Sequence, residues 1–219
     1  MDRADQRLSV ADVIEGFDKI ALDDAHAIWR GRWSGANDDA FDALWAHRPE
    51  NYHRILMGGR WVDTPRWQQA YGVDYRYTGH INRAKPVPLE LEPFLRYARS
   101  AIEPRLNGIL VNWYAGEHGH YIGRHRDKPH DLIAGAPIVT ISLGADRTFR
   151  LRPHKGKGKI DLRIDAGTVI VLPHETNLTW THEVPRFATD HGDRISVTVR
   201  AFKREAVDDH RPPRQPAAH

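Results

Sequence analysis

Two histidines and one aspartate stand at a spacing that could hold a metal ion. His125 and Asp127 are two residues apart, and His182 follows in a later segment of β character. In an extended chain, residues i and i+2 point the same way, so His125 and Asp127 can face one ion. His182, from a distant strand, would add a second imidazole. The pattern predicts a metal site held by two nitrogens and one carboxylate.

Such a ligand set leaves three adjacent positions of an octahedral ion open, as in non-haem Fe(II) oxygenases. Open positions are needed because a keto acid and dioxygen must both reach the iron. The chain contains no cysteine, which excludes thiolate ligands and disulfides, so any metal must be held by imidazole and carboxylate. An accidental pairing in a chain with fourteen histidines stays open as an alternative. Other available histidines are His118, His120, His130, His174 and His191.

A second chemical pattern lies near the C-terminus. The segment RISVTVR, Arg194–Arg200, alternates polar and apolar residues, which predicts a strand with one apolar and one cationic face. A solvated surface strand would show the same alternation. Because the segment follows His182 closely, we interpret Arg194 and Arg200 as a clamp for the carboxylates of a keto acid beside the metal.

The composition is that of one folded domain with a small basic excess. The 219 residues suffice for one good-sized core, and 32 Lys and Arg against 29 Asp and Glu give a net charge of +3. Arginine outnumbers lysine 25 to 7, which suits anionic partners, although a GC-rich genome gives the same bias. The charged start MDRADQRLS is unlike a signal peptide, and the best apolar run, Thr168–Leu172, is far shorter than a membrane span. We expect a cytoplasmic protein with no membrane partner.

The first hundred residues are predicted to be largely helical. Ser9 and Asp12 resemble a cap before a first helix, and Asn37 could cap a second. A third helix is expected over 88–104, with prolines at both ends. The segment 51–86 is typical of irregular strands and loops, because it is rich in Gly, Pro and aromatic residues.

Beyond Gly108 the pattern changes to short strands rich in Val, Ile and Thr. The predicted strands cover 109–114, 137–143, 148–151, 160–164, 168–172 and 194–202. Short strands without intervening helices favour an antiparallel sandwich or jelly roll. We expect one α+β domain, mainly β, with N-terminal helices in 1–107, a β core in 108–202 and a flexible tail in 203–219.

The chain resembles the AlkB family of Fe(II)- and 2-oxoglutarate-dependent dioxygenases, particularly its duplex-DNA-repair branch. The similar stretches are NWY at 112–114, YIGRHRDKPHDLIAGAPIVTISLGADRTFRLR at 121–152, TNLTWTHEVP at 176–185 and RISVTVR at 194–200, with weaker matches in TPRWQQAYG at 64–72 and YRYTG at 75–79. The resemblance implies a double-stranded β-helix (jelly-roll) core and, within 1–107, a lid that recognises the substrate nucleotide.

The resemblance also assigns site residues. It implies that the iron ligands are His125, Asp127 and His182. The residues that it places around 2-oxoglutarate are Asn112, Tyr114, Arg194, Ser196 (where the family has Asn) and Arg200. On the substrate side, Tyr75 and Tyr77 would line the pocket and stack a flipped base. Packing of a lid strand onto the core is the alternative role for these two tyrosines.

Two departures concern substrate recognition. Where the repair branch carries acidic residues after HRD, this chain has KPHD at 128–131, so Asp131 or Glu175 could substitute as the acid that meets the base. The bulky apolar finger of the branch falls near Gly58, and a glycine cannot wedge open a base stack. The nearby apolar candidates are Met57 and Trp61.

The activity that the resemblance implies is oxidative demethylation of alkylated DNA or RNA, with dioxygen consumed and succinate, CO₂ and formaldehyde released. Two other functions stay open: the same oxygenase chemistry on a small molecule or protein side chain, and a non-catalytic nucleic-acid-binding module. The basic run from Arg147 to Lys159 suits a phosphate backbone, although a solvated hairpin loop would look the same. A monomer is expected.

Overall fold

A computed structural model of the chain describes residues 14–77, 80–187 and 192–203. The predicted cap at Ser9 and Asp12, His191 and the tail from residue 204 lie outside these residues, as does the side chain of Tyr77. No helix in the described ranges is long and apolar enough to cross a membrane.

The described residues form fifteen strands and three helices. The strands are β1 (Asp18–Ala21), β2 (Ala27–Arg32), β3 (Arg54–Met57), β4 (Arg60–Asp63), β5 (Trp67–Tyr71), β6 (Tyr75–Tyr77), β7 (His80–Asn82), β8 (Gly108–Tyr114), β9 (Ile122–His125), β10 (Ile138–Gly144), β11 (Arg147–Pro153), β12 (Ile160–Ile164), β13 (Thr168–Leu172), β14 (Trp180–Val184) and β15 (Arg194–Arg200). The helices are α1 (Asp38–Trp45), α2 (Glu92–Ala101) and α3 (His174–Thr179), and Pro129–Asp131 forms a 3₁₀ turn.

Two antiparallel sheets make the body of the fold. The larger has the order β1-β2-β13-β10-β15-β8-β5, and the smaller has the order β12-β11-β14-β9. Two hairpins, β3–β4 and β6–β7, stand apart from both sheets. This mainly β, two-sheet architecture fits the predicted jelly roll.

The larger sheet is covered on both faces, which explains why every residue of β15 is buried. On one face, Ile195, Val197 and Val199 pack in a cluster with Leu44 of α1 and Phe94 of α2. Across the other face, apolar residues of β2, β10 and β13 pack against β11, β12 and β14 of the smaller sheet. The alternation predicted for RISVTVR is confirmed, but its polar face is enclosed in protein and is not solvated.

Two of the three predicted N-terminal helices are present. Asn37 caps α1, its side chain accepting a hydrogen bond from the Ala40 amide at 3.0 Å, and α2 lies inside the predicted 88–104. The first predicted helix is wrong where the structure describes it, because residues 14–17 form a turn and strands β1 and β2 follow. The pairing of β2 with β13 decides this segment, since partners in a sheet override local helix preference.

The sheet also extends beyond the segment that the strand pattern marks as the core. Strands β1, β2 and β5 all precede Gly108, yet they form both edges of the larger sheet, β5 by pairing with β8. The N-terminal segment therefore supplies part of the β scaffold as well as helices.

Candidate functional site

A cavity of about 420 Å³ lies between the two sheets. Its inner wall is the polar side of β8 and β15, and its other wall comes from β9 and β14 of the smaller sheet. Because side chains alternate along a strand, Arg194, Ser196, Thr198 and Arg200 all face this cavity. The same strand therefore contributes to the core on one face and to the candidate site on the other.

The structure brings His125, Asp127 and His182 together at this cavity. His125 ends β9 and is paired in register with His182 of β14, so that their ring centroids are 4.3 Å apart. The Nε2 atom of His182 lies 4.0 Å from Oδ2 of Asp127. Strand pairing thus places one histidine against the other, and the turn after β9 adds the carboxylate.

The carboxylate of Asp127 has two differently occupied oxygens. Its Oδ1 accepts hydrogen bonds from Tyr75 Oη at 2.7 Å and from Arg200 Nη2 at 2.8 Å. Its Oδ2 is buried and has no hydrogen-bond partner among the described residues. Burial would raise the pKa of Asp127, but the charge of Arg200, together with the hydrogen bond from Tyr75, holds it well below its usual value. Asp127 is therefore ionised, and its Oδ2 accepts no hydrogen bond from the described residues.

Both imidazoles are neutral, as metal ligands must be. Burial lowers the pKa of His125, and burial together with the neighbouring His125 lowers that of His182 to about 3. The Nδ1–H of a neutral His125 can donate to the Gly123 carbonyl at 2.8 Å, which leaves Nε2 as the ligating nitrogen.

These side chains fit an Fe(II) ion by chemistry, although they do not form a closed ligand set. In the part of the chain that the structure describes, no three His, Asp or Glu side chains already enclose a metal position. The buried Oδ2 of Asp127, lacking a partner beside two neutral imidazoles, is the atom that a cation would satisfy. The donors are those of a two-histidine, one-carboxylate iron site.

A second unsatisfied group, Arg194, lies deeper in the cavity. The side chain is 1% exposed, donates from Nη2 to Ser142 Oγ at 2.8 Å and lies 5.1 Å from the ring centroid of Tyr114. Its Nε and Nη1 have no hydrogen-bond partner in the described residues. Burial lowers the pKa of this guanidinium, because the cation has no anion beside it. The arrangement suits a carboxylate ligand.

Asn112 and Ser196 sit opposite each other on β8 and β15, between Arg194 and Arg200. The Oδ1 of Asn112 accepts a hydrogen bond from Arg66 Nε at 2.7 Å. Its amide NH₂ is therefore the end left for a ligand in the cavity. Arg66 is buried and also donates to Gln68 Oε1 at 3.0 Å. We did not predict a role for Arg66, although it belongs to the TPRWQQAYG stretch that carries the family resemblance.

A second residue without a predicted role is Asn177 of α3, which is completely buried. Its Nδ2 donates to the Asp127 carbonyl at 2.9 Å, and its Oδ1 accepts from the Asp127 amide at 3.1 Å. The amide side chain thus ties the backbone of Asp127 to the helix that leads directly into β14 and His182. Asn177 lies in the stretch TNLTWTHEVP that carries the family resemblance, and this could have indicated a role for it. The role itself depends on contacts with Asp127, 50 residues away in the sequence.

The predicted substrate residues have different surroundings. Tyr75 lines the cavity and donates a hydrogen bond to Asp127, which is a contact separate from the predicted one with a base. Asp131 does not line the cavity, and its carboxylate lies 2.8 Å from Nε2 of His130. Glu175 is exposed on α3 and does not line the cavity either. Neither acid lines the cavity, and the role proposed for them in meeting a base stays a prediction.

The alternative chelate His118-Gly119-His120 is not supported. His120 Nδ1 accepts a hydrogen bond from the Ala115 amide at 3.0 Å, so its Nε2 carries the proton and can donate to Tyr52 Oη at 3.0 Å. Burial, followed by the neighbouring His118, lowers the pKa of His120 to about 4. Both nitrogens are used by the fold, and His120 is a structural residue.

The β3–β4 hairpin explains the glycine at the finger position. Gly58 and Gly59 form its two-residue turn with φ values of 54° and 78°, a left-handed conformation that favours glycine. The exposed apolar residues of the hairpin are Leu56 and Trp61, which pair across the strands one residue pair further from the turn than Met57 and Arg60. Trp61 is 52% exposed, and Ile55 of the same hairpin lines the cavity.

Comparison with known proteins agrees with this geometry. The profile of the 2OG-Fe(II) oxygenase superfamily matches residues 39–200. Human DNA oxidative demethylase ALKBH2 is 30% identical over 158 residues, covering 67% of this chain and 60% of that protein. Human alpha-ketoglutarate-dependent dioxygenase alkB homolog 3 is 28% identical over 150 residues, covering 62% of this chain and 51% of that protein. The chain thus aligns with about half to three fifths of the length of these relatives.

The fold has a solved counterpart in OsALKBH1, with a TM-score of 0.55 and 13% sequence identity over 84% of this chain and all of that one. That likeness concerns the fold alone. The superfamily match and the AlkB relatives confirm the family resemblance found in the sequence, and they imply Fe(II) and 2-oxoglutarate as cofactor and co-substrate. The chain belongs to the 2OG-Fe(II) oxygenase superfamily.

Proposed function

We propose that this protein is an Fe(II)- and 2-oxoglutarate-dependent dioxygenase that removes alkyl groups from nucleic-acid bases. One oxygen atom of O₂ enters a C–H bond of an N-alkyl group, and the other enters the succinate formed when 2-oxoglutarate loses CO₂. An N-hydroxymethyl product then breaks its C–N bond to give formaldehyde and the free base. Iron with its co-substrate supplies the oxidation, and the protein supplies binding and orientation.

One observation carries the proposal. Two neutral imidazoles and a buried arginine without an anion line a single cavity, and a buried carboxylate oxygen without a partner among the described residues lies at its border. Asp127 and Arg194 are thus unsatisfied in complementary ways, one lacking a cation and the other an anion. Fe(II) and 2-oxoglutarate would satisfy both at once, since buried charges are normally paired.

Each residue around the cavity has a proposed task. Asp127 would hold iron through Oδ2, with His125 and His182 as the other ligands, while Arg200 keeps Oδ1 engaged and the carboxylate ionised. Arg194 would bind the far carboxylate of 2-oxoglutarate with its unpaired nitrogens. The further co-substrate contacts would come from Asn112, Tyr114 and Ser196.

The substrate side of the proposal rests on the rim of the cavity. Arg124, Arg126 and Lys128 are exposed and line it, so the cavity opens onto a basic surface that suits a phosphate backbone. Tyr75 and Tyr77 are proposed to contact the extruded base, and the Leu56–Trp61 pair offers an apolar surface beside it. The relatives named DNA oxidative demethylase support alkylated DNA as the substrate class. A cytoplasmic monomer stays a prediction.

The test is turnover with iron and 2-oxoglutarate on methylated single- and double-stranded DNA and RNA. We expect succinate and formaldehyde in equal amounts, and no product from Asp127→Ala or His182→Ala. Asp39→Ala, at an exposed position of α1 outside the cavity lining, is the matched control and should retain turnover. Failure of the wild-type protein on all four kinds of oligonucleotide would contradict the proposal.

One observation favours a second candidate, hydroxylation of a small molecule or a protein side chain. Of the residues that the structure describes, those lining the cavity include no Asp or Glu to meet the amino group of a base. This candidate predicts an oxidised product without formaldehyde and weak binding of oligonucleotides. Measuring succinate across a panel of metabolites and peptides distinguishes it from the first.

A further inference from the structure

The charged side chains that line the cavity share one sign. Among the described residues they are Arg66, Arg124, Arg126, Lys128, Arg194 and Arg200. None of the described lining residues is Asp or Glu. Asp127 borders the site, but Arg200 already neutralises it through an ion pair of 2.8 Å. An excess of positive charge therefore surrounds the space next to the candidate iron site.

The nearest acidic candidates are committed elsewhere. Asp131 pairs with His130, and Glu183 of β14 pairs with Arg152 at 2.9 Å. Four cations of the lining remain besides Arg194 and Arg200, and because all four are positively charged they cannot neutralise one another. Arg66 donates to Asn112 and Gln68, and Arg124 donates to the Thr181 hydroxyl and to the carbonyls of residues 153 and 154, all of them neutral groups.

Bound iron and 2-oxoglutarate would not remove this excess. The two positive charges of Fe(II) and the two negative charges of the dicarboxylate cancel, while Arg194 and Arg200 are engaged by the co-substrate and by Asp127. The cations that remain near the substrate space are Arg66, Arg124, Arg126 and Lys128. Arg66 is buried, so it repels a bound cation more strongly than the exposed Arg124, Arg126 and Lys128, which act partly through water.

Alkylated bases fall into two classes with respect to such a site. N1-methyladenine and N3-methylcytosine are cations and present exocyclic amino groups, which are donors. N3-methylthymine and N1-methylguanine are neutral and present a carbonyl oxygen, which is an acceptor, next to the alkylated nitrogen. N3-methylcytosine also carries a carbonyl group and N1-methylguanine an amino group, so charge separates the two classes more cleanly than hydrogen bonding does. Lysine and arginine are cations that can only donate, so they match the neutral class in charge and can bond its carbonyl oxygens.

We propose that this cavity selects neutral alkylated bases that carry a carbonyl group over cationic alkylated bases, with Lys128 as a specificity-determining cation at the rim. The inference rests on the proposed function and narrows its substrate class. Lys128 follows Asp127 directly and is exposed at the cavity wall, where its ammonium can reach an entering base. Arg126 is less free to do so, because it donates to the Leu178 carbonyl.

The experiment compares four oligonucleotides of one sequence, each with one of these lesions, as single strands and as duplexes. Formaldehyde release gives kcat/KM, and fluorescence anisotropy of the iron-free protein gives affinity without turnover. We expect the neutral lesions to exceed the cationic ones by roughly tenfold or more in kcat/KM, and to bind more tightly. Lys128→Glu should narrow or reverse this preference, with Lys128→Met in between.

Lys155→Glu is the matched control, since it makes the same charge change on the exposed loop after β11, outside the cavity lining. It should affect all four lesions alike. Equal or greater turnover of the cationic lesions by the wild-type protein would overturn the inference while leaving the proposed function intact. An equal loss for all lesions in Lys128→Glu would overturn the role of Lys128 and show a phosphate contact instead. Failure on every lesion would overturn the proposed function and, with it, this inference.

Discussion

The inner and outer ends of the cavity are built in opposite ways. At the inner end, Asn112, Asp127, Arg194 and Arg200 are at most 4% exposed. All but Asp127 lie on strands of the larger sheet, which is covered on both faces, and Asp127 follows β9. At the outer end, Arg124, Arg126 and Lys128 are exposed and lie on the end of β9 and in the turn after it. The β3–β4 hairpin contributes Ile55 to the lining and carries the exposed Leu56–Trp61 pair on its other face. The inner end is fixed by packing, whereas the outer end is free to vary.

This difference separates the residues proposed to hold iron and 2-oxoglutarate from the residues proposed to recognise the substrate. At the inner end, Asp127 and Arg200 hold each other through a buried ion pair, so a change in one leaves the other without its partner. The two departures that concern substrate recognition, at Gly58 and at Lys128–Asp131, lie on the β3–β4 hairpin and in the turn after Asp127. The third, Ser196 in place of the family's Asn, is buried at the inner end. The residues proposed to meet the substrate thus differ more from the family pattern than those proposed to hold iron and 2-oxoglutarate. Variants at both ends test this division.

The largest effect is expected from Arg194→Met. The loss of the only cation proposed for the far carboxylate of 2-oxoglutarate should cost about 2–5 kcal/mol of binding, which is roughly 30-fold or more in KM. The same change should raise the melting temperature of the protein without ligands, because it removes a buried charge that lacks a partner. Steady-state kinetics and thermal unfolding measure the two effects. An unchanged KM with a lower melting temperature would show that Arg194 is structural.

A smaller effect is expected from Asn177→Ala. The change leaves the Asp127 amide and carbonyl buried without their partner, at a cost of about 2 kcal/mol in the free energy of unfolding. It should also weaken Fe(II) binding by roughly tenfold, as loss of a group that orients a metal ligand does. Anaerobic titration with Fe(II) and 2-oxoglutarate, followed by absorbance, measures the affinity.

The chain offers a matched control for Asn177. Asn107 makes the same two hydrogen bonds to the backbone of Phe202, at 2.8 Å each, and neither bond involves one of the three candidate ligands. Asn107→Ala should lose similar stability and keep its affinity for iron. Equal loss of iron affinity in both variants would mean that general destabilisation, rather than the position of Asp127, explains the result.

The smallest effect is expected from Trp61→Ala at the outer end. Trp61 is half exposed, so the free energy of unfolding should change little, while loss of one stacking surface should weaken oligonucleotide binding by about 1 kcal/mol, roughly fivefold. The KM for 2-oxoglutarate should stay constant. Fluorescence anisotropy with a methylated oligonucleotide measures the change, and Leu89→Ala, at a 77% exposed position outside the cavity lining, serves as the control. An affinity equal to that of the wild type would exclude the hairpin from the substrate surface.

Some features of the fold could be predicted because their signals are local. The cap at Asn37, the prolines around α2 and the alternation in Arg194–Arg200 each depend on residues within one element. Strands β1 and β2 were not predicted within the largely helical first hundred residues, because their short segments have no strong period. They acquire their conformation by pairing, β1 with β2 and β2 with β13. Strand β9, which ends in His125, was not predicted for the same reason: its four residues pair with β14.

The sequence by itself determined the types of chemical groups: imidazole and carboxylate without thiolate, and two arginines on one face of one strand. Only the tertiary structure decided which atoms meet. The Asp127 oxygen left for a metal, the amide end of Asn112 turned to the cavity and the clamp by Asn177 all depend on residues 46 to 73 positions apart. Spacing along the chain cannot specify such contacts, because the registers of the two sheets and the packing of α3 set them.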